Sequence, residues 1–186
     1  MTILYIVLAV VVLALLWLVA AYNGFVTKTQ RAKEALSDID VQQKRRYDLI
    51  PNLVNTVKGY AAHESSAFEN VTKARAAAMG ATGMQDKVAA ENQLTGALKS
   101  LFAVSEAYPD LKANQNFLEL QKELADTEDK IQASRRFYNS TVQDLNTSIQ
   151  SFPGNIIASN FHFAPMDMFA LSAADAAAKE PVNVQF

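Results

Sequence analysis

Cysteine is absent from this sequence, and histidine, tryptophan and glycine are scarce, at two, one and six residues in 186. Without cysteine there is no disulfide framework, no thiolate metal site and no cysteine nucleophile, and the chain suits a reducing compartment. With two histidines, general-base chemistry falls to carboxylates. A strong charge of either sign is missing as well. Lys and Arg number 17 against 19 Asp and Glu, a formal net charge of −2 that offers no global attraction for nucleic acid. The phosphate-cradling Gly-x-x-x-x-Gly-Lys-Ser/Thr loop and the Gly-x-Ser-x-Gly nucleophile elbow do not occur.

What the chain does have begins at its amino terminus. The run "ILYIVLAVVVLALLWLVAAY", residues 3–22, is uncharged and almost wholly apolar. At about 1.5 Å per residue it reaches about 30 Å, the thickness of a bilayer hydrocarbon core. Ile3, Leu8 and Leu13 represent its apolar body, while Tyr5, Trp17 and Tyr22 lie toward the ends, where amphipathic rings favour the interface. A cleaved signal peptide is the rival reading. The missing basic n-region, the length of the run and the lack of a small-x-small site argue against it. Lys28, Arg31 and Lys33 follow the run and nothing basic precedes it, so the positive-inside rule puts the amino terminus outside and the rest in the cytoplasm.

From Phe25 onward the pattern is helical. Leu36, Ile39, Ile50, Leu53, Val57, Tyr60, Val71, Ala74 and Ala78 recur in steps of three and four, and Gln43 and Arg46 hold the same phase. Because the phase survives Pro51, the pattern favours one long helix to Met79, kinked at the proline; a fresh helix capped by Asp48, with Pro51 in its first turn, is the alternative. "MGATGMQD" (79–86) supplies a turn, a second helix follows over 86–107, and Pro109 ends it. The third helix, over 114–152, carries Phe117, Leu124, Ile131, Tyr138, Leu145 and Phe152 at a seven-residue interval, with Leu120, Thr127, Ser134, Thr141 and Ser148 on the adjoining line. A sustained heptad implies neighbours that pack with coiled-coil geometry. The fold expected is all-α: a transmembrane helix (1–24), an antiparallel up-down-up bundle of long helices (25–155), and an apolar, aromatic segment with a tail (156–186). That segment either covers the bundle or meets a membrane or partner.

Chemistry is harder to find. His63-Glu64 lacks the second histidine a zinc protease needs, since residue 67 is alanine, and neither histidine follows a glutamate by three, as a di-iron bundle requires. No catalytic, cofactor or metal residues are assigned. Glu64 and Arg75 on the first helix, with Glu128 and Arg135 on the third, can form a charged layer inside the bundle. Such a layer serves either as a register-fixing device or as a proton or ion site. Lys44, Arg45 and Arg46 sit about 33 Å beyond the span along a straight helix. They read as a solvated, salt-bridged face or as a docking patch for an acidic partner.

Long stretches carry a resemblance. "YNGFV", "AKEALSDIDVQQKRRYDLIPNLVNTVKGYAAHE", "VTKARAAA", "AENQLTGALKSLFAVSEAYPDLKANQNFLELQKELADTEDKI" and "SRRFYNSTVQDLNTSIQSFPGNIIA" closely resemble the LemA family of bacterial membrane proteins, over residues 22–163. The resemblance implies an inner-membrane location with an N-terminal span, a short external amino terminus and a cytoplasmic bundle of long antiparallel helices. It supplies no settled biochemical activity and no catalytic residues to carry over, and no cofactor is expected from the residues themselves. The functional expectation is a non-enzymatic membrane scaffold or adaptor that self-associates as a homo-oligomer or docks another membrane protein. A regulatory subunit of a membrane protease or transporter is the alternative.

Overall fold

A computed structural model describes residues 1–169. Among them the elements are α1 (Thr2–Lys58), α2 (Ser65–Gly80), α3 (Met84–Glu106), the short α4 (Pro109–Lys112), α5 (Gln115–Gln150) and α6 (Gly154–Asn160), with no strand. The all-α expectation is met, and the packed helices form a bundle. Besides the short α4 and α6, which the sequence pattern does not predict, the helix order departs from it in the first helix. The long first helix does not reach Met79; it ends at Lys58, and α2 begins at Ser65.

The break begins at Gly59. The Val57 carbonyl accepts N–H bonds from both Tyr60 (3.0 Å) and Ala61 (2.9 Å), which tightens the last turn and brings Ala61 inward. Tyr60, expected on the seam, is 43% exposed instead. A fold-back here lets α2 lay Phe68, Val71, Ala74 and Ala78 on the same core as Leu53 and Val57. An uninterrupted helix would have carried those side chains away from it.

Pro51 neither breaks nor ends α1. Proline has no N–H to give the carbonyl four residues earlier, which is that of Tyr47. That carbonyl is met from another helix, by Arg75 Nε at 2.8 Å. The proline itself faces outward. Between α2 and α3, Gly83 takes φ +91°, a conformation side-chain-bearing residues rarely adopt, and so permits the short turn.

The chain divides into two compact units. One comprises Asp40–Ala133 together with Phe169, and contains the end of α1, then α2, α3, α4 and the first half of α5. Its core joins Tyr47, Ile50, Leu53 and Val57 to Leu94, Leu98 and Leu101, and to Phe117 and Leu124. Residue pairings give the helix directions. Asp40 meets Lys87 and Arg46 meets Glu91, so α1 and α3 run parallel. Tyr60 meets Asn114 and Arg46 meets Glu128, so α5 runs opposite to α1. With α2 folding back, this unit is an up-down-up-down four-helix arrangement rather than the three-helix one expected from the sequence.

The other unit comprises Met1–Ile39 and Ser134–Met168. Phe25, Leu145, Ile157 and Ala158 form its buried cluster. Tyr138, buried here, donates its hydroxyl proton to the Asp167 carbonyl at 2.8 Å. The apolar start of α1 is exposed: Ile3 is 77% and Leu13 64% accessible. Among the described residues, α1 is the helix long and apolar enough to cross a membrane.

Candidate functional site

The most distinctive chemistry lies in the four-helix unit, where charge occupies seam positions. Along α1 the seam runs Ile39, Arg46, Leu53, one residue in seven, and on α3 it runs Glu91, Leu98, Ser105. Arg46 is 3% exposed and Glu91 2%, so both charges have left water. Burial of an ion is tolerable only with full pairing and hydrogen bonding.

The pairing is dense. Arg46 Nη1 lies 2.7 Å from Glu128 Oε2 on α5 and 3.2 Å from Glu91 Oε2 on α3. Its Nη2 donates to Thr95 Oγ1 at 2.7 Å. The second Glu91 oxygen, Oε1, accepts the hydroxyl proton of Tyr47. Desolvation of the Tyr47 ring, reinforced by the Glu91 carboxylate, pushes its phenol well above the usual tyrosine range. Arg75 of α2 reaches the Tyr47 carbonyl, as described above. One node thus ties side chains or backbone from α1, α2, α3 and α5. The planar guanidinium can serve three acceptors in one plane, which an ammonium cannot.

Beside the node is a cavity of about 240 Å³. Arg46, Thr95 and Glu128 form its polar wall, Leu98, Phe102 and Leu124 its apolar one, and Lys99 and Gln121 also line it. It is smaller than typical cofactor sites. Among the described residues, no group of three or more His, Asp or Glu is placed to hold a metal ion.

The residues singled out from sequence fall in several places. Of the expected charged layer, Glu128 joins the node. Arg75 borders it through the Tyr47 carbonyl. Glu64 sits instead just ahead of α2, with Tyr108 Oη 3.5 Å from its Oε1. Arg135, half-buried, belongs to the other unit. The basic triplet separates: Lys44 is exposed and pairs with Asp48 at 2.9 Å, Arg45 is exposed, and Arg46 is interior. Arg46 is therefore no surface group, because its side chain points along the seam phase it shares with Ile39 and Leu53. Of the heptad line, Phe117, Leu124, Ile131, Tyr138 and Leu145 are buried, but Phe152 lies past the end of α5 and is 80% exposed. Within the apolar run, Ile3, Leu8, Leu13 and Trp17 are exposed, and Tyr22 stacks edge-on against Phe161.

Sequence reasoning misses Glu91 and Tyr47 as partners of the charged layer. A signal for Glu91 exists, since it lies three residues before Leu94 and seven before Leu98 on the apolar stripe.

Comparison with known proteins gives the family. The LemA family model matches residues 35–186. The chain is similar to magnetosome protein MamQ of Magnetospirillum gryphiswaldense, 26% identical over 178 residues, covering 82% of this chain and 65% of that protein. Magnetosome protein MamQ 1 of Paramagnetospirillum magneticum is 26% identical over 167 residues, covering 76% and 61% respectively. The chain thus spans less than two thirds of the length of these magnetosome relatives. Protein LemA of Metamycoplasma hominis is 26% identical over 166 residues, covering 87% of this chain and 72% of that protein. The family match covers most of the chain beyond the membrane-length apolar run, and the chain belongs to the LemA family.

Proposed function

We propose that this protein is a non-enzymatic, single-span scaffold or adaptor of the bacterial inner membrane, with its amino terminus outside and its helical units in the cytoplasm. The observation that carries the reading is α1. Its exposed apolar start and its seam residues Arg46 to Val57 belong to one uninterrupted helix, so the element that enters the lipid also builds the bundle. Lys28, Arg31 and Lys33, just past the apolar run, support the orientation. The buried charges support a structural role, because Arg46 of α1 pairs with Glu91 of α3 and with Glu128 of α5, a device suited to setting which helices meet and in which register. Relatives bearing the magnetosome name are consistent with a membrane-associated function.

Docking falls to exposed faces. Val41, 61% exposed, and Arg45 share the outer side of α1 with Lys44, which pairs with Asp48, so the face offers an apolar contact beside charges of both signs. A second copy of this chain or an acidic membrane protein would fit it. Lysine-directed cross-linking in native membranes, followed by mass spectrometry, tests the proposal. The expected result is a stoichiometric partner linked through Lys44, and the loss of that link in an Arg45→Glu variant, which keeps the Lys44 amine. If the partner is a membrane protease or transporter, the scaffold is its regulatory subunit. Recovery of the chain without any stoichiometric link would contradict the reading.

A further inference from the structure

The segment after α5 has a property the bundle does not use. Residues 145–166 contain no Asp, Glu, Lys or Arg, and neither do residues 1–27. The fold brings these two stretches together. Phe25 is buried among Leu145, Ile157 and Ala158, and Leu18 and Ala21 pack on the same cluster. Tyr22 stacks edge-on with Phe161 and Phe163, at centroid distances of 5.0 and 5.6 Å, and Phe25 lies against Phe163 at 5.2 Å. A side chain at Gly154 would place its Cβ 3.3 Å from the Phe25 ring. Lys28, the first charge after the apolar run, bonds Ser148.

Leu18 lies one turn inside the apolar run, about 6 Å from Tyr22 along the helix. The Phe161–Phe163 end of the segment is therefore level with the last turn of the span, while Phe152 and Gly154 lie about one to two turns further on, beside Phe25 and Lys28. Its outer surface is amphipathic: Phe152 is 80% exposed, Ile156 53% and Phe161 48%, alongside the exposed Trp17, Val19 and Tyr22 of α1. Asn155, Ser159, Asn160 and His162 are exposed as well. Two of its four polar side chains, Ser159 and Asn160, are turned onto the backbone, as is Ser151 just before the segment. Ser159 Oγ and Asn160 Nδ2 donate to the Ile156 carbonyl at 3.0 and 2.7 Å, and Ser151 Oγ donates to Thr147 O at 2.7 Å. Asn146 holds both the N–H and the carbonyl of Met166, each at 2.9 Å. Internal satisfaction of polar groups is what a lipid environment demands.

We propose that residues 152–163 form a second membrane contact, an interfacial element that inserts Phe152, Ile156 and Phe161 into the headgroup–acyl boundary of the leaflet where the apolar run of α1 ends. The depth of about 6 Å falls within the range over which interfacial elements bury their apolar face, and exposed aromatic rings at that level match the membrane aromatic belt. This inference rests on the reading of α1 as a membrane span.

The absence of cysteine makes the test direct. Single-cysteine variants of the full chain, Phe152→Cys, Ile156→Cys, Leu8→Cys and Lys122→Cys, are spin-labelled and reconstituted in phosphatidylcholine–phosphatidylglycerol vesicles. The accessibility of each label to oxygen and to a water-soluble nickel chelate is then compared. The expected result is an oxygen-to-nickel ratio at positions 152 and 156 several-fold above that at 122, with position 8 deeper still. Lipid-like values at position 8 with water-like values at 152 and 156 would overturn the interfacial contact and leave the span intact. Water-like values at position 8 would overturn the span and this inference with it. Spin–spin broadening at 152 or 156 that disappears on dilution with unlabelled protein would overturn it too, showing a second copy on this surface instead of lipid.

Discussion

Arg46 holds one positive charge between two carboxylates, with a threonine hydroxyl as third acceptor. Removing it leaves Glu91 buried without its cation, so Arg46→Met is expected to destabilise the folded chain by about 3–5 kcal/mol. Adding Glu91→Gln, which keeps an acceptor for the Tyr47 hydroxyl, is expected to recover a large part of that loss. Thermal melts followed by circular dichroism on the detergent-solubilised chain measure both. Tyr47 gives a pH signature. Its phenol binds a proton more tightly folded than unfolded, so its contribution is complete below the ordinary tyrosine value of 10.0 and is lost as pH rises above it. Urea titrations across that range should show a steep alkaline loss of stability, shallower in Tyr47→Phe, which also starts lower by about 1.5–3 kcal/mol for the lost bond to a charged acceptor. The residue scale is only partly legible in sequence. Arg46 shares the seam phase, yet a basic triplet also reads as a surface, and only the arrival of Glu91 and Glu128 from other helices decides between the two. Those approaches are tertiary facts.

At the scale of elements, most helices are readable from period alone, because α3 and α5 carry their apolar stripes between clear turn and proline signals. The break between α1 and α2 is not. Its stripe passes from Val57 through Ala61 to Phe68 in steps that a continuous helix would also show, and one glycine is a weak stop signal. Pro51, the stronger signal, is accommodated instead by Arg75. That accommodation is testable by a double-mutant cycle. Arg75→Ala is expected to cost about 1–3 kcal/mol, since the Tyr47 carbonyl then lacks a partner. In a Pro51→Ala background the cost should shrink, because an alanine at that position supplies the missing N–H. Equal costs in both backgrounds would show that Arg75 acts by some other contact. Gly154 offers a separate test in the other unit. A Cβ there would lie 2.7 Å from the Ser148 carbonyl, so Gly154→Ala is expected to destabilise by about 1–3 kcal/mol, seen as faster proteolysis after α5.

For the whole molecule, the sequence makes the apolar anchor and the helical class plain, while the partner has no local signature, since a docking face is ordinary exposed surface until something covers it. Phe152 shows the limit. It continues the heptad of α5 in sequence, but it lies beyond the helix end with its ring exposed. A helix bundle whose buried arginine is paired within the chain, as Arg46 is with Glu91 and Glu128, fits the proposed role of holding other proteins at a membrane. The proposed scaffold role requires an assembly, and the most direct test is native mass spectrometry of the chain extracted from its own membranes in lipid nanodiscs, without added cross-linker. The expected result is a defined mass of two or more copies, or of one copy with a stoichiometric second membrane protein, shifted by Lys44→Glu/Arg45→Glu. A single chain accompanied only by lipid, unchanged by that variant, would contradict it.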